Sequence, residues 1–160
     1  MEIEKLYKEY GDRTLFSNVT FSIGNRERCA IIGRNGSGKS TLLKIIAGEE
    51  TADGGEVRTP KRSTIASLPQ HLHFTESSIL EEAALGLPTD IKDEVYRVER
   101  VLSGLGFSED DFEKEPSTFS GGFQLRLALC KVLVSEPDIL LLDEPTNYLD
   151  IVAIRWLEKY

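Results

Sequence analysis

The chain has 160 residues, with 19 Lys and Arg against 27 Asp and Glu, a formal net charge of −8, and 40% hydrophobic residues. That is the composition of one globular domain long enough to bury a core without disulfides, which excludes the disulfide mini-protein class. No apolar run approaches the roughly 20 residues a membrane helix needs, and the opening MEIEKLYKEYG lacks the pattern of a signal peptide, so a cytoplasmic location and no direct membrane insertion are expected. The acidic balance argues against a general binder of nucleic-acid backbones. Cys29 and Cys130 lie in apolar surroundings at no metal-ligand spacing and are expected as buried thiols.

In chain order, Ile3, Lys5 and Tyr7 alternate with polar neighbours, as do Val19, Phe21 and Ile23. With Tyr10-Gly11-Asp12 between them, they predict short antiparallel strands. Residues 28 to 32 (RCAII) predict a further apolar strand stopping at Gly33. Lys39 to Ala47 predicts a helix closed by Gly48, with Leu42, Leu43, Ile45 and Ile46 at helical spacing. Gly54-Gly55 reads as a turn and Thr64 to Leu68 as a strand. Residues 77 to about 118 predict a helical subdomain: Leu80, Ala83 and Ala84 on one helix, and Ile91, Val95, Val98, Leu102 and Leu105 on a second. The acidic Glu109-Asp110-Asp111 reads as a solvated face. A helix is predicted after Ser120-Gly121-Gly122, with Ser120 at its N-cap and Leu125, Leu129 and Leu133 along it. Asp138 to Leu142 then reads as a buried strand, and Ile151 to Tyr160 as a helix capped by Asp150.

Gly33-Arg34-Asn35-Gly36-Ser37-Gly38-Lys39-Ser40 fits GxxxxGK[ST] at the predicted entrance to a helix. Glycines let the backbone curl so that successive N–H groups point inward at phosphate oxygens. The helix start adds its positive dipole end, Lys39 a full charge, and Ser40 a hydroxyl for Mg²⁺. Ile139 to Leu142 lead to Asp143-Glu144, as in a strand delivering carboxylates to its carboxyl end, where open α/β sheets bind ligands. Asp143 is the candidate Mg²⁺ holder and Glu144 the candidate that orients the attacking water.

At Phe119-Ser120-Gly121-Gly122-Phe123-Gln124 and Asp143-Glu144-Pro145-Thr146-Asn147-Tyr148-Leu149-Asp150 the chain resembles the ATP-binding cassette (ABC) ATPases. The first string is similar to the family's signature motif, with Phe119 for its usual Leu and Phe123 for its usual Gln. The second is similar to the family's run of Mg²⁺-binding Asp, catalytic Glu and D-loop. Gln70 sits where the family's Q-loop glutamine belongs. Tyr10 is placed like the aromatic that stacks on adenine, with Tyr7 a competing candidate.

The resemblance implies an α/β fold of P-loop NTPase type over residues 1–160: a core sheet with an N-terminal antiparallel β subdomain and the helical subdomain at 77–118. It implies that Arg34, Asn35, Gly36, Ser37, Gly38, Lys39, Ser40 and Thr41 bind ATP, and that Ser40, Gln70 and Asp143 serve Mg²⁺. It implies catalytic roles for Glu144, Lys39 and Gln70. Ser120, Gly121 and Gly122 would reach the nucleotide of a second cassette, in tandem or in a homodimer, that sandwiches ATP against this one. The details resemble most the first cassette of an ABC-F protein, a class of tandem ATPases without membrane domains, many of which act on ribosomes; a ribosome contact would lie outside this chain. A transporter subunit that engages a membrane domain, and a module that binds ATP without turning it over, are the alternatives. The stretch after Asp143 is too short for the family's switch histidine, so the cassette is expected to be C-terminally incomplete and, alone, a poor ATPase. His71 and His73 precede the signature motif and read as exposed loop residues. The interval from Gln70 to Phe119 leaves little room for the long arm some ABC-F members insert there.

Overall fold

The computed structural model describes residues 1–69, 71–145 and 149–160. The chain divides into two compact units, Met1–Ile65 and Ala66–Tyr160.

In the first unit, β1 (Glu2–Tyr10) and β2 (Arg13–Ser22) form the expected antiparallel hairpin, and β3 (Gly54–Arg58) pairs antiparallel with the other edge of β1. The expected alternation of Ile3, Lys5 and Tyr7 is broken. The buried residues are Ile3, Leu6 and Lys8, because Lys5 adopts a φ of 49° and the register against both neighbours slips between residues 3 and 7. Such a bulge shifts the inward face by one residue. Gly54 and Gly55, expected as a turn, lie within β3 opposite this bulge. A Cβ on Gly55 would stand 2.4 Å from the Lys5 carbonyl oxygen, and its φ is 78°. These glycines let two backbones close on each other.

Helix α1 runs over Lys39–Ala47 as expected, buries Leu42, Ile45 and Ile46, and stops at Gly48, whose φ of 77° suits glycine. Residues 28–32, expected as a strand, are not one. No strand of the unit pairs with them, Ile32 is 94% exposed, and Cys29 is exposed rather than buried. An apolar run becomes a strand only where a neighbouring backbone completes its hydrogen bonds.

Strand β4 (Ile65–Ser67), which leads the chain into the second unit, pairs with β5 (Ile139–Leu141), both shorter than their apolar runs suggest. Helices α2 (Ile79–Ala84), α3 (Val95–Gly104), α4 (Gly121–Val134) and α5 (Ile151–Leu157) build that unit's core. Ile91, expected on the same helix as Val95, ends a separate 3-10 turn at Thr89–Ile91. Glu109–Asp111 is another 3-10 turn, closed by a reciprocal capping box with Ser108, and Glu109 and Asp110 are exposed as expected. Along α4, Leu127, Leu129 and Leu133 are at most 2% exposed, and Cys130 is buried as expected. Each such leucine contributes about 1.5 to 3 kcal/mol, whereas a side-chain N-cap contributes about 1. Core burial therefore lets α4 start on two glycines without a capping bond. Glu82 of α2 is fully buried and ionised. It accepts from the Thr75 and Glu76 N–H groups at 2.7 and 3.0 Å and from Lys131 of α4 at 2.5 Å, and these donors hold its carboxyl below the usual range despite burial.

Candidate functional site

The glycine loop of the first unit takes its shape from two residues in the left-handed region, Gly36 (φ 75°) and Gly38 (φ 94°). A Cβ on Gly38 would also lie 3.1 Å from the Phe16 ring, so this position needs glycine for both conformation and space. Gly33 is closely approached by Ser37, whose N–H donates to the Arg34 carbonyl at 3.1 Å, folding Arg34, Asn35, Gly36 and Ser37 into a turn. Lys39 Nζ curls back to the Gly33 and Arg34 carbonyl oxygens at 3.0 and 3.3 Å. Its charge therefore stands over the loop.

Gly38 is the N-cap of α1, and no side chain caps the helix or places an acid in its first turn. The N–H groups of that turn carry the positive end of the helix dipole, and Ser40 and Thr41 add hydroxyls there. This donor set fits a polyphosphate. Sequence reasoning missed Arg13, which donates to the Gly36 carbonyl at 3.1 Å from the start of β2, and Phe16, which packs on Gly38. Neither residue carries a motif, and both reach the loop only through the hairpin's register.

Tyr10 ends β1 and is half exposed. Its phenol donates to the Glu50 carboxylate, the Thr41 side chain lies beside it, and Lys8 Nζ lies 5.0 Å from its ring centroid. Tyr7 is half buried, with its phenol tied to Glu9. Tyr10 is thus the tyrosine linked to α1's first turn.

In the second unit, β5 ends at Leu141, and Asp143 and Glu144 follow on exposed backbone, Glu144 at a φ of 46°. Among the described residues, no group of three or more His, Cys, Asp and Glu could hold a metal ion unaided. A single carboxylate such as Asp143 is of the kind that holds Mg²⁺ arriving on phosphate, because that ion is commonly held by one or two carboxylates and the substrate's own oxygens. The Gln70 position, and Thr146, Asn147 and Tyr148 of the acidic string, lie outside the described residues. His71 and His73 are exposed.

Ser120 is the N-cap residue of α4 as expected, but its side chain makes no capping bond, and no acid lies in the first turn. A Cβ at Gly121 or Gly122 would meet nothing within 4 Å. Open space therefore lies over a second bare helix start. Behind it, Gln124 donates to the Phe119 carbonyl at 3.0 Å, and Phe119 and Phe123 pack on Phe107. Arg126 stacks on Phe123 and pairs with Asp150 at 3.0 Å, while Asp150 caps α5 by accepting from Val152 and Ala153. The two phenylalanines that depart from the usual signature pattern thus serve as packing anchors.

A family profile described as ABC transporter matches residues 16–147. The chain is 38% identical over 161 residues to the ATP-binding protein Uup of Buchnera aphidicola, covering 94% of this chain and 26% of Uup. It is 30% identical over 204 residues to ABC transporter F family member 5 of Arabidopsis thaliana, covering all of this chain and 30% of that protein. It spans less than a third of either relative. Because the second alignment is longer than the 160-residue chain, that relative carries intervening sequence absent here. Among solved structures, the dimeric post-hydrolysis state of the ATP-binding cassette MJ0796 bound to ADP and Pi superposes with a TM-score of 0.77 at 25% identity, covering 99% of this chain and 81% of that one.

Proposed function

Because this chain belongs to the ABC transporter family of ATP-binding cassettes, we propose that it binds Mg·ATP on the loop 33–41 and that the complete protein hydrolyses it. The observation carrying this reading is the uncapped start of α1, entered through Gly36 and Gly38 at positive φ with Lys39 curled over the loop. Lys39 would move from loop carbonyls to the β and γ phosphates, while the N–H groups around Gly38, Lys39, Ser40 and Thr41 hold the remaining oxygens. Ser40 and Asp143, with Gln70, would hold Mg²⁺, which when bound neutralises phosphate charge. Glu144 would orient the attacking water and accept its proton. Ser120, Gly121 and Gly122 would close over the γ-phosphate held by a second cassette, whose own copy of that motif completes this chain's site. The dimeric MJ0796 cassette supports such a partner. Residues 1–160 would form part of one ATP-binding domain, with 77–118 as its helical subdomain.

Within the family, we favour an ABC-F translation-type factor. This reading rests on the Asp143 to Asp150 string and on the relative named an F family member. A transporter subunit is the second reading, favoured by the superposition on MJ0796, described as a bacterial ABC transporter cassette. Calorimetric titration of the chain with Mg·ATP tests the first step; no heat of binding at millimolar nucleotide would overturn it. Full-length protein carrying Glu144→Gln and saturated with ATP should co-sediment with ribosomes; co-purification with a membrane protein instead would select the transporter reading.

A further inference from the structure

Lys8 is a buried cation: its side chain is 8% exposed, donates to the Thr51 carbonyl at 2.9 Å, and faces Glu50 at 3.2 Å and Asp53 at 3.6 Å. Asp53 in turn accepts from the Glu9 N–H at 2.9 Å. A buried ion cluster is weak evidence for stability, because desolvation offsets the attraction; what it can supply is a fixed geometry. Here the fixed object is Tyr10. Its phenol donates to the same Glu50 carboxylate that pairs with Lys8, and the Lys8 ammonium lies over its ring. Glu50 lies just beyond the end of α1, the helix that starts on the phosphate loop.

We propose that Lys8 and Glu50 are positioning residues for base recognition: they hold the phenol of Tyr10 beside the first turn of α1, so that the ring face away from Lys8 meets the adenine of bound ATP. Neither residue touches nucleotide; both act through the tyrosine. The Thr41 side chain lies beside the same phenol, which puts the ring next to the first turn of α1. The Glu50 carboxyl is held below its usual range, first by the Tyr10 phenol and then by Lys8, so it stays an anionic acceptor at neutral pH. This inference rests on the ATP-binding reading and on Tyr10 as the base contact.

The test compares ATP with inorganic tripolyphosphate, which fills the phosphate loop without a base, by calorimetry in excess Mg²⁺. Tyr10→Ala should lower ATP affinity roughly five- to a hundredfold, the loss typical when an aromatic under a base is removed, and leave tripolyphosphate affinity unchanged. Tyr10→Phe keeps the ring but frees it from Glu50, and should lower ATP affinity roughly three- to tenfold, the cost of ordering one freed side chain on binding. Glu50→Ala should match Tyr10→Phe, and the double variant should be no worse than either. Glu50→Gln, which retains an oxygen for the phenol, should recover most of the affinity. Full ATP affinity in Tyr10→Phe overturns the positioning role alone. Full affinity in Tyr10→Ala overturns the base contact and the inference with it, and an equal loss for both probes shows a structural role instead. Absence of tripolyphosphate binding to the unaltered chain refutes the phosphate-loop reading.

Discussion

Glu82→Gln is expected to destabilise the second unit without touching nucleotide. Glu82 is fully buried and holds two backbone N–H groups of residues 75 and 76 while pairing with Lys131. Glutamine keeps the shape and one acceptor oxygen, but its amide N–H₂ faces donors where the second carboxylate oxygen accepted them. Both backbone N–H groups donate to Oε2 and Lys131 to Oε1, so a glutamine oxygen facing the backbone keeps two bonds that fall from about 1.5 to 3 kcal/mol each to about 0.5 to 1.5, and the ion pair is forfeited. Lys131 is about one-third exposed, so its freed ammonium regains water and the second loss is partial. The expected cost is about 3 kcal/mol, read as the shift in urea unfolding of the two proteins. The pH dependence has a definite sign. The folded carboxyl titrates below its unfolded value, so its contribution is complete above the unfolded pKa near 4.5 and is lost as pH falls through the lower folded value. The stability gap between the two proteins should be full at pH 7 and narrow below about pH 4.5. A gap below about 1 kcal/mol at pH 7, or one that widens in acid, would refute the account of Glu82 as an ionised, satisfied anchor.

Lys39→Ala should cost roughly ten- to a hundredfold in Mg·ATP affinity, because the ammonium held over the Gly33 and Arg34 carbonyls is removed; calorimetry showing equal affinity would sink the loop assignment. Glu144→Gln should preserve ATP binding while lowering phosphate release by the full-length protein, and retention of the full rate would place water activation elsewhere. Gly38→Ala combines a φ of 94° with a Phe16 ring 3.1 Å from the new Cβ, so it should cost about 1 to 3 kcal/mol and weaken ATP binding, checked by thermal unfolding and titration.

The parts of the fold legible in the sequence are those fixed by short-range chemistry. Lys39 to Ala47 emerges as a helix closed by Gly48, and Asp150 caps α5, because capping and periodicity act within one turn. The bulge at Lys5 was hidden, since it depends on β3 closing on Glu4 and Lys5 from the far side of the sequence, where Gly55 alone admits the contact. Residues 28–32 carry strand composition, but pairing is a property of neighbours rather than of the segment itself. In the candidate site the glycine loop was readable from its spacing. The supports of Tyr10 were not, because no motif or spacing marks Lys8, Glu50 and Asp53, and only the bulge turns Lys8 inward.

The helix starts of this chain show where a ligand is expected and where none is. Helix α2 has Ser78 accepting from Glu81, with acids in its first turn, and α5 has Asp150 accepting from two N–H groups. Helix α3 lacks a capping bond but has the Glu94 carboxylate at its N-cap position. Helices α1 and α4 have neither a side-chain cap nor a first-turn acid, and each has glycine at its entrance, Gly38 at the N-cap of α1 and Gly121 at the start of α4. A cap left out gives up about 1 kcal/mol, and a carboxylate left out forgoes a further dipole interaction, so the omission at these two helices has a stability cost. An acid in either place would repel phosphate and occupy the donors phosphate needs. The two bare helix starts coincide with the two glycine motifs, and Lys39 against the loop carbonyls brings positive charge to the first of them. This division of caps between helices follows if α1 and α4 are each completed by an anion from outside the fold, one held by this chain's own loop and the other presented by a partner cassette.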